Sequence, residues 1–245
     1  MSLSFLSTNA RSTPRCCSRM RKPSTCPYST QTQAKSLWGN PQAASFVAAA
    51  KTIGSIPASK GLPEVIVTGR ANTGKSTLLN CVVGRKALLS TSKKAGHTKA
   101  LNFYRVGSDP GKLLLVDTPG YGARGRPEWG DLFNHYVQTR QQLKRIYILI
   151  NAKHLSLSPT DTEMLSHLSS ALLTPRGTQP FTLQAVITKA DLVPIAKLEG
   201  VLEGLRAEIW AAAPLCLPPI VTSAEMSPPF GVELVRKSVA EACGL

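Results

Sequence analysis

GRANTGKS, Gly69 to Ser76, fits the spacing GxxxxGK[ST] of a phosphate-binding P-loop, and Thr77 follows it directly. The flanking residues give the motif its weight. PEVIVT (Pro63 to Thr68) is a short β-branched run, and STLLNCVVG (Ser76 to Gly84) carries the apolar spacing of a helix, so a strand, a glycine turn and a helix start meet here. In such a turn Gly69 and Gly74 let the backbone approach a ligand closely. The successive N–H groups of Arg70, Ala71, Asn72 and Thr73, with the helix N-terminus behind them, then point at phosphate oxygens. Lys75 is placed to reach the β and γ phosphates, the Ser76 hydroxyl to ligate Mg²⁺, and Thr77 to complete the loop. A chance glycine turn beside a lysine would not have a strand and a helix on the correct sides.

A P-loop alone specifies a nucleoside triphosphate; the base must be read elsewhere. KLLLVDTPGYG (Lys112 to Gly122) is a buried-type strand ending in Asp117, whose carboxylate can hold Mg²⁺ through water, while the Gly120 N–H can meet the γ-phosphate. LQAVITKAD (Leu183 to Asp191) is a second apolar strand, and the Asp191 carboxylate can accept from the guanine N1–H and exocyclic amine. Adenine offers no such donor pair, so Asp191 argues for GTP and GDP. Lys189 would lay its stem along the base plane, next to Thr188, with its ammonium in water. After a third short strand, the segment Thr222, Ser223, Ala224 offers backbone N–H groups to the guanine carbonyl. Singly these fragments are weak, since a strand-ending aspartate commonly caps a loop or helix. Their order carries the weight, because each falls at the C-terminal end of a predicted strand, the edge where open α/β sheets bind ligands.

The chain resembles the TrmE-Era-EngA-EngB-Septin-like P-loop GTPases, and most closely the EngB family. The family's P-loop, switch I, DxPGYG and TKAD runs are similar to GRANTGKSTLLN, STSKKAGHTKALNFY (Ser90 to Tyr104), LLLVDTPGYG and VITKAD here. The resemblance covers roughly Phe46 to the C-terminus. It implies that Thr98 is the switch I threonine on Mg²⁺ in the GTP state, with Gly96 beside the nucleotide. Ser76, Thr98 and Asp117 would then be the metal residues, and Lys75, Thr98, Gly120 and Asn72 the catalytic group. It also implies a role in assembly of the large ribosomal subunit, with ribosomal RNA as partner.

Some positions depart from a Ras-like pattern. The glutamine that orients the attacking water after the DxxG glycine is replaced by Tyr121, so the water must be positioned some other way, and the EngB resemblance implies slow intrinsic hydrolysis. Asn72 stands where several relatives coordinate a monovalent cation such as K⁺; equally, it reads as a turn residue stabilising the loop. Thr188 replaces the more usual asparagine of NKxD, as is common in the EngB family.

Charge is distributed unevenly. The 245-residue chain has a formal net charge of +15, and none of its 14 acidic residues precedes Glu64, whereas eight basic ones do. Residues 1–35 are also rich in Ser and Thr, which reads as a mitochondrial transit peptide, with a plastid leader or an RNA-binding basic tail behind it. The expected organisation is a leader over 1–35, a lead-in and linker over 36–62, and a G domain over 63–245 placed in the mitochondrial matrix. From Glu64 onward, 21 basic residues face 14 acidic ones, an excess that phosphate polymers reward. Arg85, Lys86, Lys93, Lys94, Lys99 and Arg105 cluster around switch I, and Arg124 and Arg126 stand beside Trp129. Both clusters are read as RNA contacts. No apolar run reaches the roughly 18 residues of a membrane span, and a monomer is expected.

Alternation of strand and helix patterns predicts an α/β P-loop G domain. The expected sheet is six-stranded and mostly parallel, with helices on both faces and one antiparallel pair joined by VGSDPGK (Val106 to Lys112). ASFVAAAKTIG (Ala44 to Gly54) is expected to pack as a short helix. The function implied is a GTP-hydrolysing switch. Two alternatives stand beside it: a GTP-dependent RNA or protein adaptor with little hydrolysis, and a septum- or membrane-associated GTPase.

Overall fold

The computed structural model describes residues 37–58, 60–89, 100–122, 127–173 and 181–245. The proposed leader, Gly96, Thr98, Lys93, Lys94 and Lys99 of the switch I basic cluster, Arg124 and Arg126 lie outside them.

The sheet has seven strands in the order β1-β3-β4-β2-β5-β6-β7. They are β1 (Ser45–Ala50), β2 (Glu64–Gly69), β3 (Leu101–Val106), β4 (Leu113–Asp117), β5 (Leu143–Asn151), β6 (Thr182–Thr188) and β7 (Cys216–Val221). β2, β4, β5, β6 and β7 run parallel. The predicted antiparallel pair is present between β3 and β4, and β3 is also antiparallel to β1.

β1 corrects two expectations: the sheet has one more strand than predicted, and Ser45–Ala50, within the Ala44 to Gly54 stretch expected as a helix, is a strand, followed by a 3-10 turn over Ile53–Ser55. SFVAAA carries three alanines that favour helix, but Ser, Phe and Val before them suit a strand equally. The edge of β3 offers the segment backbone partners instead. Phe46 meets the edge of Tyr104 on β3 at 5.7 Å between centroids, and Ala50 is fully buried. The lead-in thus supplies part of the sheet.

Five helices cover the two faces: α1 (Lys75–Val83), α2 (Pro127–Thr139), α3 (Pro159–Leu172), α4 (Ile195–Ala212) and α5 (Val232–Cys243). Central parallel strands are buried on both sides, so their apolar runs are continuous and successive residues serve opposite cores. Ile66 joins Ile146, Ile148 and Ile187 under α2, α3 and α4, whereas Val65 and Val67 join Tyr147 and Leu149 under α1 and α5. α2 begins at Pro127, whose fixed φ suits the first helical position.

One buried ion pair fixes the edge of the sheet opposite the P-loop. Glu64, fully buried at the start of β2, accepts two hydrogen bonds from Arg140, both 2.8 Å, and one from the Tyr136 hydroxyl. Arg140 also donates to the Pro57 carbonyl at 2.7 Å and lies over the Tyr136 ring. Both carboxylate oxygens are therefore satisfied. Arg140→Met leaves the carboxylate buried without its cation and should cost about 3 kcal/mol of unfolding free energy, measured by urea denaturation. A loss below about 1 kcal/mol would show a solvent-screened pair.

Candidate nucleotide site

Every described nucleotide motif falls at the C-terminal ends of β2, β4, β6 and β7. The P-loop leaves β2 at Gly69 and closes at Gly74, which sits in the left-handed region (φ 93°) as the N-cap of α1. Asn72 is also left-handed (φ 62°) and exposed. The Thr73 hydroxyl donates back to the Arg70 carbonyl at 2.9 Å. Lys75, 8% exposed, donates from Nζ to the Gly69 and Arg70 carbonyls at 2.8 and 2.9 Å. Burial lowers its pKa to about 8, against the pull of Asp117. The lysine charge is thus stored inside the loop, beside the amides that face phosphate.

Ser76 donates to Asp117 Oδ2 at 3.0 Å. Asp117 is 1% exposed and its Oδ1 is buried without a hydrogen-bond partner. Burial raises its pKa to about 6, opposed by Lys75, Ser76 and the Thr118 amide. A hydroxyl and a carboxylate oxygen with coordinating capacity left over suit a hard divalent cation, so these residues fit Mg²⁺. Among the described residues no cluster of three or more His, Cys, Asp or Glu side chains gathers as a metal site. Mg²⁺ bound through one or two protein oxygens plus phosphates needs none.

Switch II lies directly on the P-loop. A Cβ built on Gly120 would stand 2.6 Å from the Ala71 amide nitrogen, so only glycine permits this approach. Tyr121 pairs its backbone with Arg70 as an isolated parallel bridge. Its side chain is 5% exposed and donates its hydroxyl to Asp161 Oδ1 at 2.9 Å. Tyr121 is therefore attached to α3 and does not replace the glutamine as a water-orienting group.

The guanine motifs are joined to the P-loop by hydrogen bonds. Thr188 donates to the Thr73 carbonyl at 2.7 Å, with the Ile150 carbonyl at 3.2 Å. Lys189, left-handed at φ 57°, crosses the loop so that Nζ donates to the Asn72 carbonyl at 2.9 Å. Its Cε lies 3.8 Å from where a Gly74 side chain would begin, as expected of a stem laid across the site. Asp191 follows in a short 3-10 turn with its side chain exposed and its amide donating to the Ser223 hydroxyl at 3.1 Å. Thr222, fully buried, holds the Ile187 carbonyl through its amide at 2.7 Å. The Cys81 thiol donates to the Ala224 carbonyl at 3.5 Å, so this half-buried residue, packed against the core, also ties α1 to the loop after β7.

Asn80 was not singled out by sequence. It is buried on α1 and its side chain both accepts from the Leu89 amide and donates to the Leu89 carbonyl, each at 2.9 Å. The entry to switch I is thereby pinned as one strand pins another. A polar residue on the apolar face of the P-loop helix was the available signal. Asp161 was also missed. The S-P-T-D spacing from Ser158 signals a helix cap but cannot identify a partner on switch II. Of the basic residues read as RNA contacts, Arg85 donates to the Ala44 carbonyl at 2.7 Å and Arg105 pairs with Asp109 at 2.5 Å. Those two have intramolecular partners.

A phosphate loop, a serine–aspartate pair that fits Mg²⁺, a glycine packed on the loop and the exposed aspartate of TKAD, gathered at one sheet edge, make the arrangement of a P-loop GTPase. A family model described as "50S ribosome-binding GTPase" matches residues 64–183. The chain is 34% identical over 207 residues to the probable GTP-binding protein EngB of Roseobacter denitrificans, across 80% of this chain and 89% of that protein. It is 35% identical over 206 residues to the probable EngB of Ruegeria pomeroyi, across 80% and 88%. The chain belongs to the EngB family of GTP-binding proteins, and GTP hydrolysis is its activity. A solved structure of Era with MgGDPNP and a segment of 16S ribosomal RNA shares the fold, with TM-score 0.52 and 24% identity over 74% of this chain and 56% of Era.

Two outcomes follow from these contacts. Thr188→Val keeps side-chain shape but leaves the Thr73 carbonyl without its donor, a loss of about 1 kcal/mol. Titration with a fluorescent GDP should show about fivefold weaker binding, and unchanged affinity would refute the tie. Asn80→Ala orphans both Leu89 groups and should cost about 2 kcal/mol while speeding limited proteolysis between Leu89 and Ala100. Cleavage at the wild-type rate would count against the clamp.

Proposed function

We propose that this GTPase is an assembly switch for the large ribosomal subunit, working in the mitochondrial matrix on ribosomal RNA. The observation that carries the reading is the contact of Gly120 with the P-loop at Ala71, which couples a γ-phosphate-reading amide to the surface that follows it. The basic excess after Glu64 suits an RNA partner, and the acid-free, Arg-rich first 35 residues suit import into the organelle. In the GTP state Thr98 would join Ser76 and Asp117 at Mg²⁺, and Gly96 and Gly120 would border the phosphates. Hydrolysis would release the switch surface from RNA. Among the described residues no helix is long and apolar enough to cross a membrane.

A second reading has its own observation. Because Tyr121 is held by Asp161 and no glutamine orients water, the chain could work as a GTP-dependent adaptor whose hydrolysis is slow. A K⁺ ion at Asn72 is the proposed remedy for that slowness. Single-turnover hydrolysis in potassium and then sodium, with and without ribosomal particles, separates the readings. Acceleration by particles in potassium supports the switch, and a uniformly slow rate supports the adaptor.

Sedimentation with large-subunit precursors tests the partner. The chain bound to a non-hydrolysable GTP analogue should co-sediment about tenfold more than the GDP form, a coupling within the usual range for a switch. Equal binding of the two forms would remove the ribosome from the account.

A further inference from the structure

One buried carboxylate outside the nucleotide motifs touches two of them. Asp161, in the first turn of α3, is 5% exposed. Its Oδ1 accepts the Tyr121 hydroxyl at 2.9 Å, and its Oδ2 faces the Arg70 guanidinium at 3.3 Å. The same Oδ2 also accepts the Ser158 hydroxyl at 2.7 Å and the Ser158 amide at 3.2 Å. Its own helix therefore orients the carboxylate, and the N-terminal turn favours the negative charge. Burial, with Asp161 adjacent, pushes the Tyr121 hydroxyl well above its ordinary pKa, so it remains a donor.

The consequence falls on Gly120. This residue sits between Asp117 and Tyr121, with its Cα against the backbone of Ala71. Anchoring the next side chain to α3, while the Tyr121 backbone pairs with Arg70, restricts how the Gly120 peptide can turn. An amide held in place before ligand arrives avoids the ordering cost that a free loop would meet on binding.

We propose that Asp161 is the positioning residue of switch II, holding Tyr121 so that the Gly120 amide is pre-set for the γ-phosphate and the affinity for GTP is raised relative to that for GDP. The proposal rests on the GTPase reading of the site and requires no ribosomal partner. It assigns a nucleotide-discriminating role to a helix that contributes no nucleotide motif. GDP has no γ-phosphate, so its binding does not depend on the tether.

Tyr121→Phe tests this directly, since it keeps the buried ring and removes only the hydroxyl. Affinities for GDP and for a non-hydrolysable GTP analogue are measured by competition on the full chain, with single-turnover hydrolysis of saturating GTP. The analogue should bind about tenfold more weakly, with GDP affinity unchanged and hydrolysis slowed by a similar factor. Asp161→Asn should lower the analogue-to-GDP ratio in the same direction, and the double variant should lose no more of that ratio than Asp161→Asn does. Because Asp161 also caps α3, the ratio is read rather than the absolute affinity. An unchanged ratio in Tyr121→Phe, an equal loss of both nucleotides, or a gain for the analogue overturns the proposal. A wild-type chain that binds neither nucleotide overturns the GTPase reading first, and the tether with it.

Discussion

The buried ammonium of Lys75 is the constraint on which the site is built. A lysine at 8% exposure must find acceptors, and the P-loop supplies them by turning its own Gly69 and Arg70 carbonyls inward. With carbonyls facing in, the amides of the same peptides face out, toward the place where phosphate binds. One interaction thus neutralises the cost of burying the lysine and aims the loop. The left-handed residues Asn72 and Gly74 are where the backbone makes the reversal.

Other motifs attach to that loop rather than merely standing near it. Thr188 and Lys189 bond its carbonyls from β6, Ser76 bonds Asp117 from α1, and Gly120 packs on Ala71. Positions 69 to 76 therefore act as a hub to which the base-reading and metal-holding elements are fastened. The two hydrophobic cores hold the sheet beneath it, and neither contributes a ligand-reading group. Thr188 illustrates the economy of the arrangement. In place of the usual asparagine, its hydroxyl still joins the guanine motif to the P-loop, so the substitution preserves the connection between base and phosphate ends.

Sequence disclosed what is local. The P-loop, Asp117, Gly120 and the TKAD run are short patterns at strand ends, where spacing alone specifies chemistry. β1 was hidden because alanines favour helix and only the unpaired edge of β3 overrides them. Asp161 was hidden for a different reason. Its partners are 40 and 91 residues away, brought together by the crossing of three elements, and no local pattern encodes that meeting. Arg85 and Arg105, read from the run of positive charge as surface for RNA, also have partners within the fold that no local pattern announces. Charge counted along a chain does not distinguish a contact to phosphate from a contact to a carbonyl.

Among the described residues three acidic side chains are buried, Glu64, Asp117 and Asp161, and the fold treats them differently. Glu64 has both oxygens bonded by Arg140 and Tyr136, and Asp161 has both engaged by Tyr121, Ser158 and Arg70. Only Asp117 keeps an oxygen without a partner. Leaving a buried acceptor unmatched costs about 1 to 3 kcal/mol, a cost that the other two positions show this fold is able to avoid. The unmatched oxygen stands beside the Ser76 hydroxyl, at the one edge where the phosphate loop and switch II meet. A cation held there would offset the cost, as would the positive charge of Lys75 when phosphates draw it from its carbonyls. Among these three carboxylates the unmatched polarity is thus concentrated at the pair whose chemistry fits Mg²⁺, and the two that tie one element to another are fully matched.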